Sequence, residues 1–99
     1  MHSFEVTEKT PEDFVIGVNH SLAEHGLADY VSVGCEGEDI VARIRWMGTT
    51  ELRFRTRATD NGFRADLQRQ RVAPLHGAFQ QSFEARFENV LAKVGAKLV

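Results

Sequence analysis

From Asp39 to Val72 the chain alternates apolar and polar residues in three successive runs separated by short turn signals. One parity holds Ile40, Ala42, Ile44 and Trp46, then Leu52 and Phe54, then Phe63, Ala65 and Leu67. The opposite parity holds Arg43, Arg45, Arg53, Arg55, Arg57 and Arg64. Neighbouring side chains on a strand point to opposite faces, so a period of two gathers each set on one side of a sheet. The pattern predicts three consecutive strands with one apolar face and one arginine-bearing face. Asp60-Asn61-Gly62 marks the last turn, because Asn and Gly tolerate the positive φ that a tight hairpin needs. Gly48-Thr49 marks the turn before it. Beyond Leu67 the alternation breaks, since Arg69 and Arg71 would point inward. Either the strand leaves the core there or a bulge inverts its phase.

The flanking segments supply the rest of the layer. Ser3 to Lys9 alternates and reads as a short strand at a sheet edge. Thr10-Pro11-Glu12-Asp13 is a helix start: a capping hydroxyl, a proline suited to the first helical position and two acids at the positive end of the dipole. The helix runs to about His25 on a Phe14, Val18, Leu22 stripe and ends at Gly26, a left-handed cap. Gly17 inside it predicts close packing on the sheet. Tyr30 to Glu36 is a further strand, with Val31, Val33 and Cys35 facing in. Pro74 opens a second helix, whose stripe of Leu75, Phe79, Phe83, Phe87, Val90, Leu91, Val94 and Leu98 predicts a rod of roughly 30–36 Å. The order is β-α-β-β-β-β-α, one α+β domain over 1–99. It is a two-layer sandwich in which an antiparallel sheet has one face covered by two helices, including a long C-terminal helix.

Composition sets outer limits. With 42% hydrophobic and 26% charged residues the chain is neither disordered nor collagen-like. A single cysteine allows no internal disulfide, and the start shows no secretory signal, so a cytoplasmic setting is expected. The net charge of −2 hides a segregation: eight of the nine arginines lie between Asp39 and Val72, against four acids there.

That segregation singles out Arg43, Arg45, Arg53, Arg55, Arg57 and Arg64 as a candidate interface. Like charges on neighbouring strands repel, and Glu51 and Asp66 on the same face offset only part of this. Three arrangements satisfy such a face: arginine stems lying over the sheet with wet heads, a homodimer whose partner supplies acids, or an anionic partner such as nucleic acid, an acidic protein, a phosphorylated ligand or an anionic lipid surface. A second candidate lies between the long helix and the sheet, where Trp46, Phe54, Phe79, Phe83 and Phe87 would line an apolar pocket; Trp46 alternatively belongs to the core. His20 and His25 are five residues apart, the wrong spacing for two ligands on one helix face, and Cys35 reads as a buried small hydrophobe. The carboxylates are scattered. The sequence assigns no catalytic residue, no metal site and no cofactor.

The Gly37-Glu38 turn, and the passage from the last strand through Pro74-Leu75-His76-Gly77 into a long C-terminal helix, resemble the small polyhydroxyalkanoic-acid-system family of bacteria, encoded beside polyester-granule genes. Gly48-Thr49-Thr50-Glu51 stands where that family carries a Gly-Val-x-Gly-like stretch. The layout also resembles a shortened helix-grip fold, in which a curved sheet wraps a long helix around an apolar ligand. Two functional expectations follow. The first is a non-enzymatic interaction module that uses the arginine face for an anionic partner or for self-association. The second, which the resemblance implies, is a small apolar-ligand-binding or granule-associated protein with its site between helix and sheet.

Overall fold

A computed structural model describes residues 2–99, the side chains of residues 78–80 excepted. Strands β1 (Ser3–Thr7), β2 (Val31–Glu36), β3 (Asp39–Arg45), β4 (Thr49–Thr59), β5 (Gly62–Arg71) and β6 (Ala96–Leu98) form one antiparallel sheet in the order β2-β3-β4-β5-β1-β6. Helices α1 (Pro11–Glu24) and α2 (Gln80–Lys93) pack on the same face, so the α+β sandwich expected from the sequence is the fold. None of the helices is long and apolar enough to cross a membrane, among the described residues.

The inward parity of the sheet builds the core. Phe4 packs edge-on against Phe54 at 5.4 Å, Phe14 of α1 meets Phe63 at 5.7 Å, and Val90, Leu91 and Val94 close the layer from the second helical segment. The first helix is capped as its sequence demands. The Thr10 hydroxyl accepts from Asp13 N–H at 3.2 Å, and at the far end Gly26, at φ 71°, lets Leu27 N–H reach back to Leu22 O at 2.9 Å.

Several local expectations are corrected. The first strand is interior, because β6 pairs along its outer side, with Phe4 opposite Leu98. Leu98 therefore belongs to a strand, and the last helix is shorter than its apolar stripe. Pro74–Phe79 form a tight 3-10 turn before α2, and Gly95, at φ 104°, leads the chain out of the helix into β6. Gly17 serves the other helix and not the sheet: a Cβ there would lie 2.7 Å from Val94 Cγ1. Gly62 is required for clearance, because its Cβ would meet Val6 O at 1.8 Å; its φ is not positive. The bulge is present. Phe54 opposes Leu67 and Arg53 opposes Arg69, so Gln68 is the extra residue and the phase inverts after it.

The exposed edge of β2 is closed by a side chain. Asn19 of α1 donates to Val33 O at 2.7 Å and accepts from Val33 N–H at 3.1 Å, imitating one residue of a neighbouring strand.

Candidate functional site

The outer face of the sheet collects the arginines together with five acids, one from each of the strands β1 to β5. Register sets the pairing: Arg43 stands opposite Glu51, Asp39 opposite Arg55, Arg55 opposite Asp66, and Glu5 opposite Arg64. Arg43 lies 2.8 Å from Glu36 and 3.1 Å from Glu51. Arg53 bridges Glu36 at 2.8 Å and Asp39 at 3.1 Å, while Arg55 holds the other oxygen of Asp39 at 2.6 Å. Arg64 reaches Asp66 at 3.0 Å and Glu5 at 3.4 Å, and the Ser3 hydroxyl donates to Asp66 at 2.6 Å. Val41, the one apolar residue at the centre of this face, is only 1% exposed; it lies apart from the main core, beside Arg53 in the register. Amphipathic arginine stems provide such cover while their heads stay polar.

These contacts hold the carboxylates ionised. Hydrogen bonds from Arg53 and Arg43 draw the Glu36 pKa below its ordinary value, and those from Arg55 and Arg53 do the same for Asp39. For Asp66 the Ser3 hydroxyl contributes most, followed by Arg64. Four of the six arginines predicted as an interface are therefore knitted to acids of their own chain. Glu51 and Asp66 were legible as partners from strand parity. Asp39 has the same parity and was missed, while Glu5 and Glu36 lie on flanking strands whose place beside the arginines depends on which strands become neighbours. Arg45 and Arg57 make no ion pair among the described residues, nor do Arg69 and Arg71, which the bulge has turned onto this face.

The second candidate site is an apolar cleft of about 440 Å³ between the C-terminal end of α1, the β2–β3 edge and α2. Leu22, Leu27, Tyr30, Ile44, Phe83 and Phe87 contribute to its wall, and the exposed Arg86 stands at its rim. Phe83 and Phe87 stack at 5.6 Å with nearly parallel rings, as i, i+4 neighbours on one helix face. Two of the five predicted pocket residues thus line the cleft. Phe54 lies instead within the core against Phe4. Trp46 sits in the β3–β4 turn, outside the cleft, and the side chain of Phe79 is outside the described residues. Sequence reasoning missed Leu22 and Ile44 as wall residues. Both end an apolar stripe, and a stripe end is where the opposing layer runs out.

The Trp46 ring stacks on the His76 ring at 6.0 Å, with 16° between the planes. His76 is buried in a closed chain of hydrogen bonds. Ala73 N–H donates to Thr50 Oγ1 at 3.0 Å, the Thr50 hydroxyl donates to His76 Nδ1 at 2.6 Å, and His76 Nε2–H donates to the Trp46 carbonyl. This order satisfies every partner with a neutral ring protonated at Nε2. Elsewhere, His25 Nδ1–H donates to Ser21 O at 2.7 Å, leaving Nε2 to accept from Lys93 at 3.1 Å. Cys35 is exposed, contrary to its inward parity, because β2 runs past the helical cover. Partial burial, and then the charge of Glu12, raise its thiol pKa and so disfavour the thiolate. No group of three or more His, Cys, Asp or Glu side chains is arranged to hold a metal, among the described residues.

The fold and these surfaces define a small α+β sandwich with an apolar cleft under its second helix and a charge-compensated outer face. No family model matches the sequence, and no curated protein or solved structure matches it.

Proposed function

We propose that this chain is a small non-enzymatic binding protein whose ligand is an amphipathic carboxylate seated in the cleft beneath α2. The observation that carries this reading is the cleft itself: an apolar wall containing a stacked phenylalanine pair, with a single guanidinium at its rim. Its volume falls within the range typical of small-molecule sites, and one charged group beside an apolar wall is the usual way of fixing a ligand's orientation. An aliphatic tail would lie against Phe83, Phe87 and Ile44, and its carboxylate would meet Arg86. A medium-chain hydroxyalkanoic acid has that chemistry, which links this reading to the resemblance with the polyester-granule family. The other expectation, recruitment of an anionic partner or a second copy by the arginine face, drew its force from uncompensated charge. Arg43, Arg53, Arg55 and Arg64 are compensated within the chain, so the cleft has the stronger claim.

Thermal melts against straight-chain carboxylates of increasing length test the proposal. Ligand at a hundred times its Kd stabilises by about 2.7 kcal/mol, on the order of 10 °C for a domain of this size. Arg86→Gln should weaken carboxylates but not the neutral alcohols of equal length, and Ile44→Trp, which fills the cleft, should remove both responses. A melting temperature that rises with no member of the series would overturn the proposal.

A further inference from the structure

A different surface, at the β3–β4 hairpin tip, combines exposed apolar side chains with arginines that have no ion pair among the described residues. Of the large hydrophobic residues that remain exposed, Trp46 (48%), Met47 (69%), Leu75 (54%) and Tyr30 (49%) gather where β3 turns into β4. Arg45 N–H donates to Tyr30 O at 2.7 Å, which sets Tyr30 beside the end of β3. Leu75 adjoins His76, the ring on which Trp46 stacks, so the 3-10 turn and the hairpin tip are fastened together. The buried Thr50–His76 chain beneath them fixes this arrangement. Met47 itself adopts φ 52°, the left-handed region that side-chain-bearing residues seldom occupy, and it is the most exposed large hydrophobic among the described residues.

The cations lie on the same end. Arg45 stands opposite Thr49 beside the tip, Arg71 opposite Glu51, and Arg69 opposite Arg53, with no ion pair to any of the three among the described residues. Arg69 and Arg71 occupy the stretch of β5 that continues past its pairing with β1, so their surroundings are open. Four half-covered large side chains offer on the order of 400 Å². That is short of the ~800 Å² per partner that a stable protein interface needs. A shallow apolar contact joined to several basic residues is, by contrast, sufficient for attachment to a charged bilayer surface, and tryptophan and tyrosine are the residues favoured at that depth.

We propose that the β3–β4 tip docks on an anionic lipid surface, with Trp46, Met47 and Leu75 entering the headgroup boundary and Arg45, Arg69 and Arg71 meeting lipid phosphates. The site adjoins the cleft, which Tyr30 also lines, but needs no ligand in it.

Trp46 is the sole tryptophan of the chain, so its fluorescence reports the contact directly. Vesicles of mixed phosphatidylglycerol and phosphatidylcholine should shift its emission to the blue, and brominated lipid should quench it. Phosphatidylcholine alone should do neither, and added salt should reverse the shift. Arg45→Gln and Arg71→Gln should each weaken binding about five-fold. Met47→Ser combined with Leu75→Ser should abolish the shift while circular dichroism stays that of the parent. Three outcomes overturn the proposal. One is an emission spectrum indifferent to anionic vesicles. Another is an equal response to both vesicle types. The third is a concentration-dependent blue shift without vesicles, which would assign the tip to a second copy of the chain.

Discussion

Replacing Gly17 by alanine should destabilise this protein although it improves the helix. In an exposed helix the change is worth about 1 kcal/mol in favour of alanine. Here the added Cβ would lie 2.7 Å from Val94 Cγ1, about an ångström inside an ordinary carbon–carbon contact. Val94 has little room to respond. Its χ1 is stiff because it is β-branched, and its backbone is tied by N–H to Leu91 O at 3.1 Å and by its carbonyl to Lys9 Nζ at 2.6 Å. Overpacking of this kind costs about 1–3 kcal/mol, so the net loss should be about 1 kcal/mol, or roughly 4–8 °C in melting temperature. Removing the γ-methyls reverses the sign: in a Val94→Ala background, Gly17→Ala should stabilise by about 1 kcal/mol, a coupling of about 2 kcal/mol across the cycle. Urea unfolding of the four proteins measures this, with a common m value as the check that the unfolded state is unchanged. Equal stabilisation by Gly17→Ala in both backgrounds would refute the close helix approach, and with it the placement of α2 that forms the cleft.

The remaining predictions concern the outer face, the buried histidine and the sheet edge. Glu36, Asp39 and Asp66 titrate below their ordinary values in the folded state, so at acid pH the unfolded chain binds more protons and stability rises with pH. Their contribution is complete above about pH 5 and drains as pH falls through the depressed folded values; the urea midpoint should follow that course, and Asp39→Asn should flatten it. An unchanged acid limb in Asp39→Asn would detach that carboxylate from the ion lattice. Thr50→Val deprives Ala73 N–H and His76 Nδ1 of their partner and should cost about 1–3 kcal/mol in urea unfolding; a neutral result would mean that the buried chain of hydrogen bonds is dispensable. Asn19→Ala uncovers the N–H and C=O of Val33 and should increase light scattering on concentration, an effect absent if the β2 edge is protected in some other way.

What could be read in the sequence was what a single segment decides alone. The alternation from Ile40 to Leu67, the Thr10 cap and the Gly26 stop each depend on neighbours a few residues away, and each appears in the fold. The misreadings arose where distant segments meet. A stripe reaching Leu98 looked helical because its spacing satisfies a 3.6 period, yet Gly95 and the open side of β1 offered that residue a ladder partner in Phe4. Trp46 has inward parity, but it lies one residue beyond β3, where the covering layer has ended and a histidine thirty residues later is the available ring. The arginine face was incompletely balanced in the sequence reading. Strand parity identifies which residues share a face, while the neighbours Glu36 and Glu5 enter only through strand order.

A single extra residue accounts for much of how the two faces differ at the hairpin end. Had the period of two continued through Gln68, Arg69 and Arg71 would have pointed at the helical layer, and two buried guanidiniums without acids would have been costly. The bulge sacrifices one ladder position and turns both into water. It also places Gln70 opposite Leu52 on the inner side, so the apolar surface of β5 stops at Leu67, while β3 and β4 continue to Ile44 and Thr50. The helical layer follows the core and not the strands. Ile44 is left as the wall of a cleft, and Trp46 and Met47 project past the last covered row beside the arginines that the bulge released. Deleting Gln68 would remove the bulge and leave Arg69 opposite Arg53 and Arg71 opposite Glu51 in an unbroken ladder, still on the outer face. The physical expectation is therefore that the deletion keeps both faces as they are, with a urea midpoint close to the parent's; a large loss of stability would show that the kink of the bulge, and not the phase it sets, is what the fold needs.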